Sequence, residues 1–140
     1  SMVSGPTEVA EPQNTEVNRR LVQLFVEEVL ISRDMEGLAG YFDADKFIDH
    51  SPEAEDGVSA LRARLSATTP NGDFNIRYDR LHRVLAEGDF VLTVSEGIKN
   101  GIHSSFYDLF RVCNLKLAEH WDTTESVPSQ SQWKNNNGKF

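Results

Sequence analysis

From Thr15 to Ser32 the apolar residues Val17, Leu21, Leu24, Phe25 and Val29 recur at helical spacing, behind Asn14 or Thr15 as a cap. This predicts a first helix. Asp34 can cap a short second one with Leu38, Tyr41 and Phe42 as its buried stripe, although Gly37 and Gly40 weaken it. Phe47 and Ile48 make a brief apolar step into Asp49-His50-Ser51-Pro52, a loop in which the proline ends any regular element. Val58, Leu61 and Leu65 repeat at three-four spacing and predict a third helix, ending before Thr69-Pro70. After Asn71-Gly72 the period changes from helical to two, with β-branched and aromatic residues. Four strands are expected, near 74–86, 89–99, 102–112 and 116–124.

The turns join these strands as hairpins. Glu87-Gly88-Asp89 supplies the first, and Asn100-Gly101 is the strongest hairpin signal because both positions tolerate positive φ. At the third, Asn114-Leu115 puts leucine where a type I′ turn wants glycine; such a turn would strain Leu115 by about 1 kcal/mol, and a wider turn is the alternative. Three helices followed by a meander, without βαβ alternation, predict an α+β domain: a curved antiparallel sheet covered on one face by three N-terminal helices, leaving a cone with an open mouth.

Composition narrows the functional classes. A chain of 140 residues fits one domain. Its formal charge of -8 argues against nucleic acid or an anionic membrane surface as partner, since either needs a basic stripe. Arg77, Arg80 and Arg83 do not form one, because 77 and 83 share parity while 80 does not. A single cysteine, Cys113, excludes an internal disulfide and suits a reducing compartment. No apolar run reaches the length of a signal peptide core or a membrane span, so the chain reads as a soluble, cytoplasmic protein. Ser1 ahead of Met2 looks like a cloning remnant. The polar stretch 1–14 is expected to be disordered, with the folded domain spanning 15–126. The tail, 127–140, has Trp133 and Phe140 as isolated anchors and is expected to wrap the barrel, close the pocket or stay partly disordered.

The last predicted strand carries the chemistry. Alternation puts His120 and Asp122 on one face and Trp121 on the other, where it could anchor a dimer or pack against the tail. Taking a proton from a carbon beside a carbonyl needs a base and a donor to the enolate oxygen. An aspartate, with a reference pKa of about 3.9, is too weak a base unless its surroundings raise it. Burial among Phe106 and Phe110 and a second carboxylate, Asp108, would act in that direction. His120, roughly 7 Å from Asp122 along the strand, is expected to contact the same ligand rather than Asp122 itself. His50 could cover the mouth and donate to a ligand oxygen, or cap its own loop beside Asp49 or Asp56. His82, on a mixed face with Tyr78, Arg80 and Val84, is either a pocket residue or structural. His120-x-Asp122 would need another histidine to form an iron-binding facial triad, and none follows it, so no metal is expected. Glycine-rich phosphate loops and a nucleophile elbow are missing from the sequence.

Read in order, His50-Ser51-Pro52 with Asp56-Gly57, then the run Leu81 to Asp89, Asp108-Leu109-Phe110-Arg111-Val112, Glu119-His120-Trp121-Asp122 and a closing Asn137-Gly138-Lys139-Phe140 resemble the SnoaL-like polyketide cyclases of the nuclear-transport-factor-2-like superfamily. The resemblance implies a cone-shaped α+β barrel, commonly a homodimer paired through the outer sheet face, with a pocket between sheet and helices. It implies a last-strand aspartate that closes a ring by intramolecular aldol condensation without metal or organic cofactor, and Asp122 matches that position. Helper residues would come from the preceding strand and the loop after the second helix, which are Asp108, Phe106 and His50 here. Asp108 departs from the histidine that some cyclases carry, and Leu115 from the usual turn glycine. The expected function is acid–base catalysis on a small apolar carbonyl compound, as a cyclase or a related isomerase or dehydratase. A non-catalytic ligand-binding or dimeric assembly domain of the same fold is the alternative.

Overall fold

The computed structural model describes residues 5–6, 8–52, 54–129 and 138–140. Its first helix, α1 (Thr15–Phe25), widens into a π-helical turn over Val26–Ile31. The wider turn keeps Val26, Val29 and Leu30 buried in line with Val22 and Phe25. A 3₁₀ turn over Leu38–Tyr41 stands where the second helix is expected. Gly37 and Gly40 leave that segment only Leu38 and Phe42 as buried anchors, too few for a regular α-helix. After strand β1 (Ile48–Asp49) comes helix α2 (Val58–Ser66), whose Val58, Leu61 and Leu65 are buried. Its start is capped from a distance: the Asp45 Oδ1 accepts the backbone N–H of Val58 at 2.8 Å and of Ser59 at 3.1 Å.

Strands β2 (Ile76–Glu87), β3 (Phe90–Lys99), β4 (Ile102–Cys113) and β5 (Lys116–Ser126) follow the predicted meander closely. The sheet runs β1-β5-β4-β3-β2. One expectation needs correction: β1 pairs parallel to β5, so the sheet is mixed rather than wholly antiparallel. Two-residue strands carry no periodicity, and the segment reads as a loop in the sequence. The sheet is curved and unclosed. Register shifts in β2 between Tyr78 and Arg80 and between Leu81 and Arg83 bend it. Opposite the first shift, Gly97 lies so close to β2 that an added Cβ would overlap the Arg77 carbonyl oxygen.

The hairpin turns adopt the backbone their sequences call for. Asn100 and Gly101 have φ of 51° and 80°, as a type I′ turn requires. Asn114 and Leu115 have φ of 49° and 62°, so Leu115 does occupy the position suited to glycine, with its side chain exposed. Contacts begin earlier than Thr15. Ala10 exchanges two hydrogen bonds with Asp89, and Asn18, buried on α1, donates to the Gly88 carbonyl at 2.8 Å. The core lies between α1, α2 and the inner sheet face, where Phe25 meets Phe42 and Phe110 edge to face. Among the described residues no helix is long and apolar enough to cross a membrane.

Candidate active site

Cross-strand register assembles the site. Asp108 on β4 stands opposite Asp122 on β5, and Phe110 opposite His120, so these four share the face that the helices cover. Between them and the helices lies a narrow cavity of about 30 Å³ that opens to solvent at its mouth. Phe25, Phe47, Leu61, Phe106 and Phe110 supply apolar wall; Arg64, Tyr78, Lys99, Asp108, His120 and Asp122 supply the polar groups. The expected site residues Asp122, His120, Asp108, Phe106 and Phe110 therefore come together on one cavity.

His120 is held from both sides. Its Nε2 lies 2.7 Å from Asp108 Oδ1 and its Nδ1 2.9 Å from Asp49 Oδ1. Asp49 reaches it because β1 pairs Asp49 with His120, and Ser51 steadies the same carboxylate through its N–H at 3.0 Å and its hydroxyl at 2.7 Å. Burial opposes a charge on His120, but hydrogen bonds and charges from Asp108 and Asp49 outweigh it and raise its pKa to about 10. It is an imidazolium at neutral pH. Burial would likewise raise Asp49, yet the His120 hydrogen bond and charge, aided by Ser51, hold its carboxyl below the ordinary value. Tyr78 donates to the other Asp108 oxygen at 2.7 Å; burial, then the Asp108 charge, push its phenol well above the usual range. Tyr78 is thus a neutral donor.

Arg64, on the inner side of α2, sits 3.5 Å from Asp122 and 3.9 Å from Asp49. Asp108, His120 and Asp122 each offer a ligand atom within 4.8 Å of the others, a spacing that would admit a cation. An imidazolium bonded through both nitrogens has no lone pair to give, so metal binding would first have to displace its proton and its partners.

His50 is a correction. Alternation through β1 turns Ile48 outward, Asp49 inward and His50 outward again. His50 stacks on Trp121 at 4.9 Å, its Nε2 meets the Glu119 carboxylate, and Arg111 holds that carboxylate from the other side at 3.0 Å. Neither His50 nor His82 is among the residues lining the cavity. His82 faces outward as well, 2.8 Å from Glu96 and stacked on Phe140 at 4.2 Å. Lys139 pairs with Glu125, so the described end of the tail lies on the outer face rather than over the mouth. Trp133 falls outside the described residues. Trp121 is covered by His50 and Phe90 and approached by Gly5.

The sequence did not point to Arg64, Tyr78 and Lys99 as cavity groups, nor to Asp49 as the partner behind His120. Arg64 did leave a signal: it follows Leu61 by three and adjoins Leu65, placing a cation in the apolar stripe of α2.

No family model matches the chain, and no curated protein does. Solved structures do. A candidate ketosteroid isomerase from Kribbella flavida DSM 17836 superposes with a TM-score of 0.70 at 13% identity, over 90% of this chain and 94% of that one. An NTF-2-like protein of unknown function from Burkholderia xenovorans LB400 gives 0.66 at 18% identity, over 89% and 99%. A candidate SnoaL-like polyketide cyclase from Jannaschia sp. CCS1 gives 0.60 at 18% identity, over 86% and 92%. At such identities the likeness speaks for the backbone and leaves the chemistry to the side chains. A curved sheet wrapped on its inner face by helices, matched over nearly the full length of these structures, gives this chain the nuclear-transport-factor-2-like α+β fold.

Proposed function

We propose that the chain is an enzyme that abstracts a proton from a carbon beside a carbonyl in a small apolar compound, using Asp122 as the base. The observation that carries this reading is the Asp122 carboxylate on the wall of an apolar cavity, directly across from Asp108, with a guanidinium 3.5 Å away. Asp122 would take the proton while Arg64 meets the negative charge that develops on the carbonyl oxygen. The Asp49–His120–Asp108–Tyr78 chain forms the floor, with polar atoms already fixed before a ligand enters. Arg64 thus takes the positioning role expected of His50, while Tyr78 spends its one O–H on Asp108. Ring closure, isomerisation and dehydration all begin with this step, and the similar structures include a candidate isomerase and a candidate cyclase.

Asp122→Asn tests it. General-base catalysis contributes about 10² to 10⁴ in rate, and a loss of that size in solvent deuterium exchange into bound ketones, with folding and ligand binding retained, is expected. Loss of folding would make Asp122 structural. Binding without exchange even in the unaltered protein would favour the non-catalytic binding domain.

The protein acts, in this reading, as a homodimer. Leu85, Leu92 and Leu109 stand in register across three strands on the outer face, and Leu85 is 57% exposed. Leu85→Glu should shift the sedimentation coefficient toward a monomer; an unchanged value would place the interface elsewhere.

A further inference from the structure

The acidic groups lining the cavity are each met by a cation. Asp108 lies 2.7 Å from His120, which Asp49 holds from behind, and Asp122 faces Arg64 at 3.5 Å. Lys99 is different. It is the last residue of β3, half-buried on the cavity wall, and among the described residues its ammonium has no hydrogen bond or ion pair. Alternation from Val91, Thr93 and Ser95 places it on the inner face, at the end of the cavity away from His120. Its neighbour there is Ile76, its partner on β2. A lysine that only solubilises a strand end would point outward, where this acidic chain has ample surface.

We propose that Lys99 binds a carboxylate of the substrate, so that the compound is an oxo acid whose ketone lies at Asp122 and whose acid group lies at the outer end of the cavity. The proposal rests on the acid–base reading of the site and adds the substrate class. One unpaired ammonium suits one negative charge, and the other cavity cation that faces Asp122, the Arg64 guanidinium, already serves the ketone end of the site. Lys99 pairs with Ile102, six residues before Asp108 on β4. At about 3.4 Å per residue this is at most ~20 Å along a straight strand, and both the curve of the sheet and the length of the lysine side chain shorten the gap. An apolar spacer between ketone and acid would lie along Phe106.

The probe is 7-oxo-7-phenylheptanoate, whose six-bond spacer separates ketone from acid by most of that gap, compared with its methyl ester by titration calorimetry. The acid should bind at least about tenfold more tightly than the ester, the effect of a charged hydrogen bond. Lys99→Met should bring the ratio to about one, and Lys99→Arg should restore most of it. Equal binding of acid and ester, binding of neither, or a preference that survives Lys99→Met would overturn the proposal. Proton exchange at the carbon beside the ketone, followed by NMR in deuterium oxide, reads the other premise separately. A Lys99-dependent preference without exchange would support the carboxylate subsite and overturn the acid–base reading.

Discussion

Two histidine–carboxylate clusters sit on opposite faces of the same sheet. On the inner face His120 lies between Asp49 and Asp108, all three at 8% exposure or less. On the outer face Glu96 lies between His82 at 2.8 Å and His103 at 2.6 Å, with side-chain exposures of 30% for Glu96 and 48% for His103. Distances and residue types are alike, so the hydrogen bonds themselves do not distinguish them. Burial does. Inside, water cannot replace a lost partner, and the cluster fixes a charge beside an apolar cavity; outside, solvent screens each charge and competes for each bond. Chemistry on a bound molecule belongs to the inner cluster because only there do fixed polar groups face space that a ligand can fill.

Removing the central histidine of the inner cluster should show the largest effect. His120→Phe leaves Asp49 and Asp108 without their shared cation, and about 3–5 kcal/mol of stability should disappear in urea unfolding. A cost below about 1 kcal/mol would place the inner cluster with surface pairs.

The pH dependence should follow. His120 has its pKa raised from 6.5 to about 10 on folding, so its contribution is complete below 6.5 and is lost as pH rises toward 10. Asp49 is held below 3.8, so its contribution is complete above that value and is lost as pH falls through its lowered one. Urea midpoints should therefore decline from pH 7 to 9.5, and His120→Phe should flatten that decline. An equally steep alkaline limb in the variant would assign it to other groups.

Smaller effects sharpen the contrast. Leu115→Gly relieves a left-handed leucine in the β4–β5 turn and should raise stability by up to about 1 kcal/mol, read as a higher urea midpoint. Glu96→Gln, in the outer cluster, should cost less than about 1 kcal/mol.

Sequence made part of this visible and hid the rest for identifiable reasons. The Asn100-Gly101 turn and period-two alternation were enough to put His120 and Asp122 on one face, but the β4–β5 turn alone would set Asp108 against Trp121; the register shift after Leu117, which no sequence signal marks, moves Asp122 opposite Asp108. Asp49 was not legible, because a two-residue strand has no pattern and its pairing with β5 spans some seventy residues of chain. His50 was misplaced for the same reason: once β1 is known, alternation alone turns it outward. Lys99 looks like any polar residue before a turn until the sheet's bend at Gly97 brings the end of β3 to the cavity.

Solvent deuterium exchange into a bound ketone, measured side by side for the unaltered protein, Asp122→Asn and Glu96→Gln, bears most directly on the division between the two faces. Exchange lost by about 10² or more in Asp122→Asn and retained in Glu96→Gln, with both variants folded, is the expected result. Exchange that persists in Asp122→Asn, or that falls equally in both, would contradict an active site on the inner face.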